Sequence, residues 1–243
     1  MAEKKVTVRT DEVVTPETHI VKKDFWSQYS KPIIYAGSAI ILLAGAWFGY
    51  KKFVKEPKEV KAAEAIFPAE FLVDKMAVSG FSKDSINIAL NGGATADAKV
   101  TGLLKIMSSY SGTSSANRAT YLAGACYLQN REFDKAIKYL KDFDANGAYQ
   151  TDIKRHIMMG HAYSEMNRSD DALSEYKKAA AVNEKDETFT TDALIIAAAY
   201  AEKMGKTKDA IELYQKVKNK YPAQQVVMSG DVDKNLAKLG IIE

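Results

Sequence analysis

The chain opens its pattern with one unbroken apolar run. Residues Pro32 to Tyr50, PIIYAGSAIILLAGAWFGY, carry no charged side chain over nineteen positions. As a helix rising 1.5 Å per residue they span about 28 Å, close to the hydrocarbon thickness of a bilayer. Aromatic residues flank both ends, Phe25, Trp26 and Tyr29 before and Trp47, Phe48 and Tyr50 after. Such rings settle at the headgroup level, where one end is apolar and the other wet. The pattern predicts a single N-terminal transmembrane helix over 32–54. Ala44-Gly45-Ala46 has the small-x-small look of a signal-peptide cleavage site. The apolar run continues past it, however, and about thirty polar residues precede the run, too many for an ordinary n-region. The helix is therefore expected to be retained as an anchor.

Before the anchor, residues 1–31 show few large apolar side chains and no helical period, which predicts a flexible tail with a short interfacial piece over Phe25–Lys31. After it, apolar residues recur at helical spacing to the end of the chain. Ala65, Phe71, Leu72 and Met76 space like one helix face, and Val100, Leu103, Leu104, Met107 and Tyr110 like another, with Asn91-Gly92-Gly93 punctuating between them. The more regular part starts near Ala116. The stretch from Arg118 and the stretch from Lys154 align at a period of thirty-six residues, so that Gly124 falls on Gly160, Tyr127 on Tyr163, Ala136 on Ala172 and Leu140 on Tyr176. A third copy carries Ala210, Tyr214 and Pro222 in the same register, and Val232–Leu239 reads as a terminal capping helix.

This spacing resembles the tetratricopeptide repeat, a helix-turn-helix with small residues where helices touch and aromatics between them. The resemblance makes the chain all-α: the single N-terminal transmembrane helix, then a tetratricopeptide-repeat solenoid. It divides into tail 1–31, span 32–54, linker and degenerate repeat-like helices 55–112, repeats 113–224 and cap 225–243. Gly124, Tyr127, Ala136, Gly160, Tyr163, Ala172, Ala210, Tyr214 and Pro222 are the expected packing residues. The first two copies are separated by an extra-long loop around Asn146-Gly147. In the third copy Tyr200 stands ten residues before Ala210 where the others have nine, so that copy is expected to have a looser or shifted first helix. Such stacks bind peptides on the side lined by their first helices. The corresponding positions are Arg118, Tyr121, Ala125 and Leu128 in the first copy, Lys154, Ile157, His161 and Ser164 in the second, and Asp192, Ile195, Ala199 and Glu202 in the third. Tyr121, Ile157 and Ile195 are expected to form a continuous apolar strip.

A narrower resemblance rests on the whole layout: a tail, FWxxY-KPI entering one span, then LLKIMSSYSGTSSANRATYLAGACYLQNREFDKAIKYLKDF. This is similar to the YfgM-like family of bacterial ancillary subunits of the SecYEG translocon, whose repeat domain is shared by the CpoB periplasmic cell-division coordinator. The resemblance implies a bacterial inner-membrane protein with a cytoplasmic N-terminus and a periplasmic repeat domain. It implies partners too: translocon subunits, a periplasmic folding factor and unfolded client chains. The lysines near the span point the other way, since Lys51, Lys52, Lys55, Lys58 and Lys61 follow it and only Lys22, Lys23 and Lys31 precede it. Long domains translocate largely regardless of such flanking charge.

Composition narrows the function classes. The net charge is +3 with acids and bases interleaved; there is no basic stripe of the kind that marks a nucleic-acid binder. One cysteine, Cys126, permits no intrachain disulfide. His156 and His161 lie five apart, off the i, i+4 spacing of a metal pair, and no metal or other cofactor is expected. No phosphate-cradling glycine loop and no nucleophile elbow occur. The chain is expected to bind proteins and not to be an enzyme. A scaffold that docks one fixed partner in an envelope secretion or division assembly is the alternative to a holder of translocated chains.

Overall fold

The computed structural model describes residues 24–96 and 98–242. Most of the tail therefore lies outside the described residues. Two compact units divide the chain, Met1–Lys51 and Lys52–Glu243.

In the first unit, α1 runs over Phe25–Tyr50, with Pro32 inside it. The helix thus starts seven residues before the predicted span: Phe25–Lys31 continues the same helix and is not a separate piece. Its apolar side chains face outward, Ile40 to Leu43 each being 66–73% exposed. It is long and apolar enough to cross a membrane, a property that signal sequences share. A π-helical turn follows at Lys51–Lys55.

In the second unit, α2 spans Glu56–Ser79. Glu56 and Pro57 follow directly on the π-helical turn, and Lys55 before them is itself helical, at φ −70° and ψ −51°. Next come α3 (Lys83–Asn91), α4 (Leu103–Ser109), α5 (Ser114–Gln129), α6 (Phe133–Asp142), α7 (Tyr149–Glu165), α8 (Ser169–Ala181), α9 (Glu187–Lys203), α10 (Thr207–Lys220), α11 (Gln225–Met228) and α12 (Asp231–Lys238). Between α3 and α4 lies one departure from the all-α expectation: β1 (Gly93–Ala94) and β2 (Lys99–Val100) pair antiparallel, Gly93 opposite Val100. Three of these helices, α3, α5 and α9, start at polar caps. Ser82 accepts from Ser85 N, Thr113 from Ala116 N and Asp186 from Phe189 N, each satisfying a backbone donor that the first turn leaves open.

Helices α5–α6, α7–α8 and α9–α10 form three antiparallel hairpins with one shared turn. Arg131, Asn167 and Gly205 occupy the equivalent left-handed position, at φ 64°, 58° and 68°. After each, the amide reaches back over the helix end: Glu132 N to Tyr127 O, Arg168 N to Tyr163 O and Lys206 N to Ala201 O, all at 2.9 Å. This is the Schellman closure, which satisfies carbonyls that the helix end leaves open. The third copy corrects the expectation of a looser helix. Helices α7 and α9 both have 17 residues, and Ala201 takes the place of Tyr163 with its turn intact. Ala201 stands four residues before Gly205 and nine before Ala210, as Tyr163 does before Asn167 and Ala172, so the hairpin keeps its register and Tyr200 is the neighbouring position. Only the interval from the second copy is longer, α8 having 13 residues where α6 has 10.

Two clusters of buried side chains hold the unit together. One joins α2–α6 through Ile66, Val73, Met76, Leu103, Ile106 and Tyr127. The other joins α6–α12 through Leu140, Ile153, Tyr176, Leu194, Tyr214 and Val232. The α12 side chains Val232 and Leu236 cover the last apolar surface of that cluster, as the end of a repeat stack requires. Across residues 56–109 the apolar residues do not sort as one face per helix. Leu72 and Met76 are buried, Ala65 is half-buried and Phe71 points outward. Ile106 is fully buried, while Leu104, Met107 and Tyr110 are half-buried.

Candidate functional site

The face formed by α5, α7 and α9 is assembled by close helix contact. At Gly160 an added Cβ would lie 2.4 Å from Tyr176 Cε1, and at Gly124 one would lie 2.7 Å from Leu140 Cγ. Each glycine lets the second helix of its own hairpin approach. Ala198 takes that position in the third hairpin, fully buried like Ala136, Ala172 and Ala210. Tyr127, Tyr163 and Tyr214 are buried beside these contacts. Pro222 is different: it is exposed beyond the end of α10, and it stops the helix instead of packing.

The twelve predicted groove positions fall in four rows across the three hairpins. Arg118, Lys154 and Asp192 form an exposed charged row. Arg118 is ion-paired with Glu70 of α2, and Lys154 Nζ lies 5.6 Å from the centre of the Phe189 ring. Tyr121, Ile157 and Ile195 form the next row. All three are half-buried against the core, and Tyr121 tilts onto Phe143 with ring centres 5.1 Å apart. Burial also raises the Tyr121 hydroxyl pKa. Part of each side chain thus supports the fold and part faces outward. In the third row Ala125 is half-buried and His161 and Ala199 are exposed; in the fourth, Leu128, Ser164 and Glu202 are half-buried.

Sequence reasoning missed two groups beside this face. The first is aromatic. His161 Nδ1 lies 2.8 Å from Tyr176 Oη, and Tyr176 meets the Tyr200 ring edge-on at 5.1 Å. Tyr200 was read as a displaced repeat position; it instead spans the junction of the second and third hairpins. The second group is a charged network at the α7–α8 contact. His156 Nδ1 lies 2.6 Å from Glu175 Oε2, Lys178 donates to Glu175 Oε1 at 2.7 Å, and Arg155 NH2 lies 2.9 Å from His156 Nε2. An arginine is always a donor, so Nε2 is the acceptor and Nδ1–H donates to Glu175. Burial alone would raise the Glu175 carboxyl; hydrogen bonds from His156 and Lys178 outweigh it and hold the pKa below its ordinary value. The i, i+3 partners Asp152–Arg155 and Glu175–Lys178 are visible in sequence, but the His156–Glu175 link needs the helix pairing. Cys126 is fully buried, and burial pushes its thiol up to about 12, which leaves no nucleophilic thiolate at neutral pH.

Residues 153–186 and 192–223 each match a family model of the tetratricopeptide repeat. The chain contains tetratricopeptide repeats. The matched segments fall on the second and third hairpins, and α5–α6 repeats their turn and shares the glycine contact of the second. No curated protein matches the chain. Tetratricopeptide repeats generally serve as protein–protein interaction modules.

Proposed function

We propose that this protein is a membrane-anchored binding module that takes protein segments along the first helices of its tetratricopeptide repeats. The observation that supports the site is the alignment of charged and half-apolar rows on α5, α7 and α9. In the finer reading, it works beside the protein-translocation channel of a bacterial inner membrane and holds chains as they emerge, with α1 retained as the anchor and the repeats in the periplasm. That reading rests on the resemblance of the tail, span and first repeat to the YfgM-like family, and on the length of the domain that follows the span. It needs no catalytic step, metal or cofactor.

A second reading, a scaffold that docks one folded partner, draws support from the pre-formed Arg118–Glu70 pair. A charge pair already formed within the chain costs no ordering on binding, which suits a surface presented whole to one fixed partner. Photo-crosslinkers at Ile157 and Ala199 in intact membranes separate the two. Many client adducts together with translocon subunits are the result expected of a holder. One stoichiometric adduct would replace that reading with the scaffold. A reporter fused after Glu243 that is active only in the cytoplasm would overturn the periplasmic placement.

A further inference from the structure

Tyr176 is 2% exposed, so its hydroxyl needs a partner inside the fold. Among the described residues that partner is His161 Nδ1, at 2.8 Å. Burial raises the phenol pKa, which keeps the O–H intact at neutral pH. Burial also lowers the His161 pKa, against the opposing pull of the Glu165 carboxylate, so the ring is neutral at neutral pH. A neutral imidazole has one N–H and one acceptor nitrogen. If Nδ1 carried the proton and donated to the phenol oxygen, the buried O–H would be left unsatisfied. The O–H therefore donates to Nδ1, and the proton of His161 sits on Nε2. That N–H has no partner among the described residues, and His161 is exposed on the first-helix face.

The ring is held and its neighbours are small. It meets Tyr176 edge-on, with ring centres 5.5 Å apart, and the equivalent positions in the flanking hairpins are Ala125 and Ala199. A chain can therefore come close to Nε2. The charges on the adjoining turns balance. Glu165 is paired with Arg131 at 2.8 Å, and Glu202 stands next to Lys203 at the end of α9. Lys154 and Asp192 belong to the outer row, about two turns back along their helices. A neutral donor with no net charge around it favours a neutral acceptor over a carboxylate. The main-chain carbonyl is the neutral acceptor that segments of every sequence share. A helix spends its carbonyls on its own amides, save those of the last turn, whereas an extended segment leaves them open.

We propose that His161 reads the main chain of a bound segment: its Nε2–H donates to a backbone carbonyl of an extended stretch, and Tyr176 is the positioning residue that fixes the proton on Nε2. The inference rests on the first-helix face as the binding site. It narrows the occupant of that face to extended segments, with no demand on their sequence at this point.

The test uses the full-length protein in zwitterionic nanodiscs. Nitrogen NMR of histidine-labelled protein is expected to show His161 as the Nε2–H tautomer, and Tyr176→Phe, which keeps a ring over Gly160, to mix the two tautomers. An Nδ1–H tautomer in the unaltered protein overturns the proposal, as does a tautomer indifferent to Tyr176→Phe. Binding is read by fluorescence anisotropy, corrected against empty nanodiscs, with two labelled peptides of one uncharged leucine–serine–glycine sequence. One is linear and the other is stapled into a helix. The linear peptide is expected to bind more tightly. His161→Phe should weaken it about five-fold, the loss of one hydrogen bond, and abolish its preference over the stapled form. A linear peptide that fails to bind, or binds no better than the stapled one, overturns the proposal, because main-chain recognition asks for no particular sequence. Ile157→Ser separates this result from the reading beneath it. If Ile157→Ser weakens the linear peptide and His161→Phe leaves it untouched, the first-helix face stands and the role of His161 falls. If neither substitution changes binding, the face is not the binding site and both fall.

Discussion

At the scale of single residues, the tightest constraint is the space above the first-helix glycines. A Cβ at Gly160 meets the Tyr176 ring, which is 2% exposed and held by His161 and Tyr200. A Cβ at Gly124 meets Leu140 Cγ at 2.7 Å, a looser approach than the 2.4 Å at Gly160. Gly160→Ala should therefore destabilise by about 1–3 kcal/mol, the usual range for overpacking, and Gly124→Ala by less. Thermal melts of the two variants in one detergent check the order, and equal melting temperatures would mean that Tyr176 moves aside freely. Glu175 offers a second residue-scale test. Its folded-state pKa is lowered, so its contribution is present above the ordinary carboxylate pKa and lost as pH falls through the lower folded value. Glu175→Gln should cost about 1–3 kcal/mol at neutral pH by leaving the network half-satisfied. Denaturant unfolding should show that difference shrinking as pH drops below about 4. A difference that does not depend on pH would remove the charge from the explanation.

Helices and turns show what the sequence makes legible. The hairpins were readable because small residues, aromatics and turn positions recur at a near-fixed period, and packing at Gly124 and Gly160 follows from that pattern alone. The regularity of the third copy was not readable from Tyr200, because an aromatic at the wrong offset looks like a slipped helix. The turn geometry at Gly205 shows that neither the helix nor its register moved, and that Tyr200 stands one position before the equivalent of Tyr163. Helix α2 was misread for a different reason. With apolar residues on opposite sides, Phe71, Leu72 and Met76 can be drawn on one face only if burial is unknown. The β-ribbon escaped notice because two-residue strands leave no period. The anchoring of α2 is likewise a matter of three-dimensional contact. Glu59 accepts from Ser114 N at 3.0 Å, at the start of α5, and Lys58 donates to Ser111 O at 2.8 Å. Thr113 caps the same helix through Ala116 N. Thr113→Ala should cost about 1 kcal/mol, and Glu59→Gln in that background should add a further loss, because both side chains serve one helix end. A double-mutant cycle by chemical denaturation measures this; strict additivity would show that the two caps act independently.

For the repeat-bearing unit as a whole, the division of the core into two clusters predicts how it comes apart. A stack of repeats gains stability from neighbour to neighbour, and the two clusters meet at α6, where Ala136 belongs to one and Leu140 to the other. Val232→Asp, which puts a charge into the α12 seal, should first release amide protection in α9–α12 and leave α2–α5 protected. Native-state hydrogen exchange followed by mass spectrometry distinguishes this from one cooperative opening, in which every helix would lose protection together.

The shared left-handed turn has a consequence for the chain as a piece of engineering. Arg131 and Asn167 occupy identical joints thirty-six residues apart, so excising residues 132–167 would splice Arg131 directly to Arg168 without inventing a junction. Helix α8 would then fold back on α5, its Tyr176 ring laid over Gly124 as it now lies over Gly160, and Arg168 N would close on Tyr127 O. The shortened protein should remain helical and melt cooperatively at a lower temperature. Repeat number in this chain is in that sense an adjustable length, set by where one backbone joint recurs and open to change by recombination at that joint.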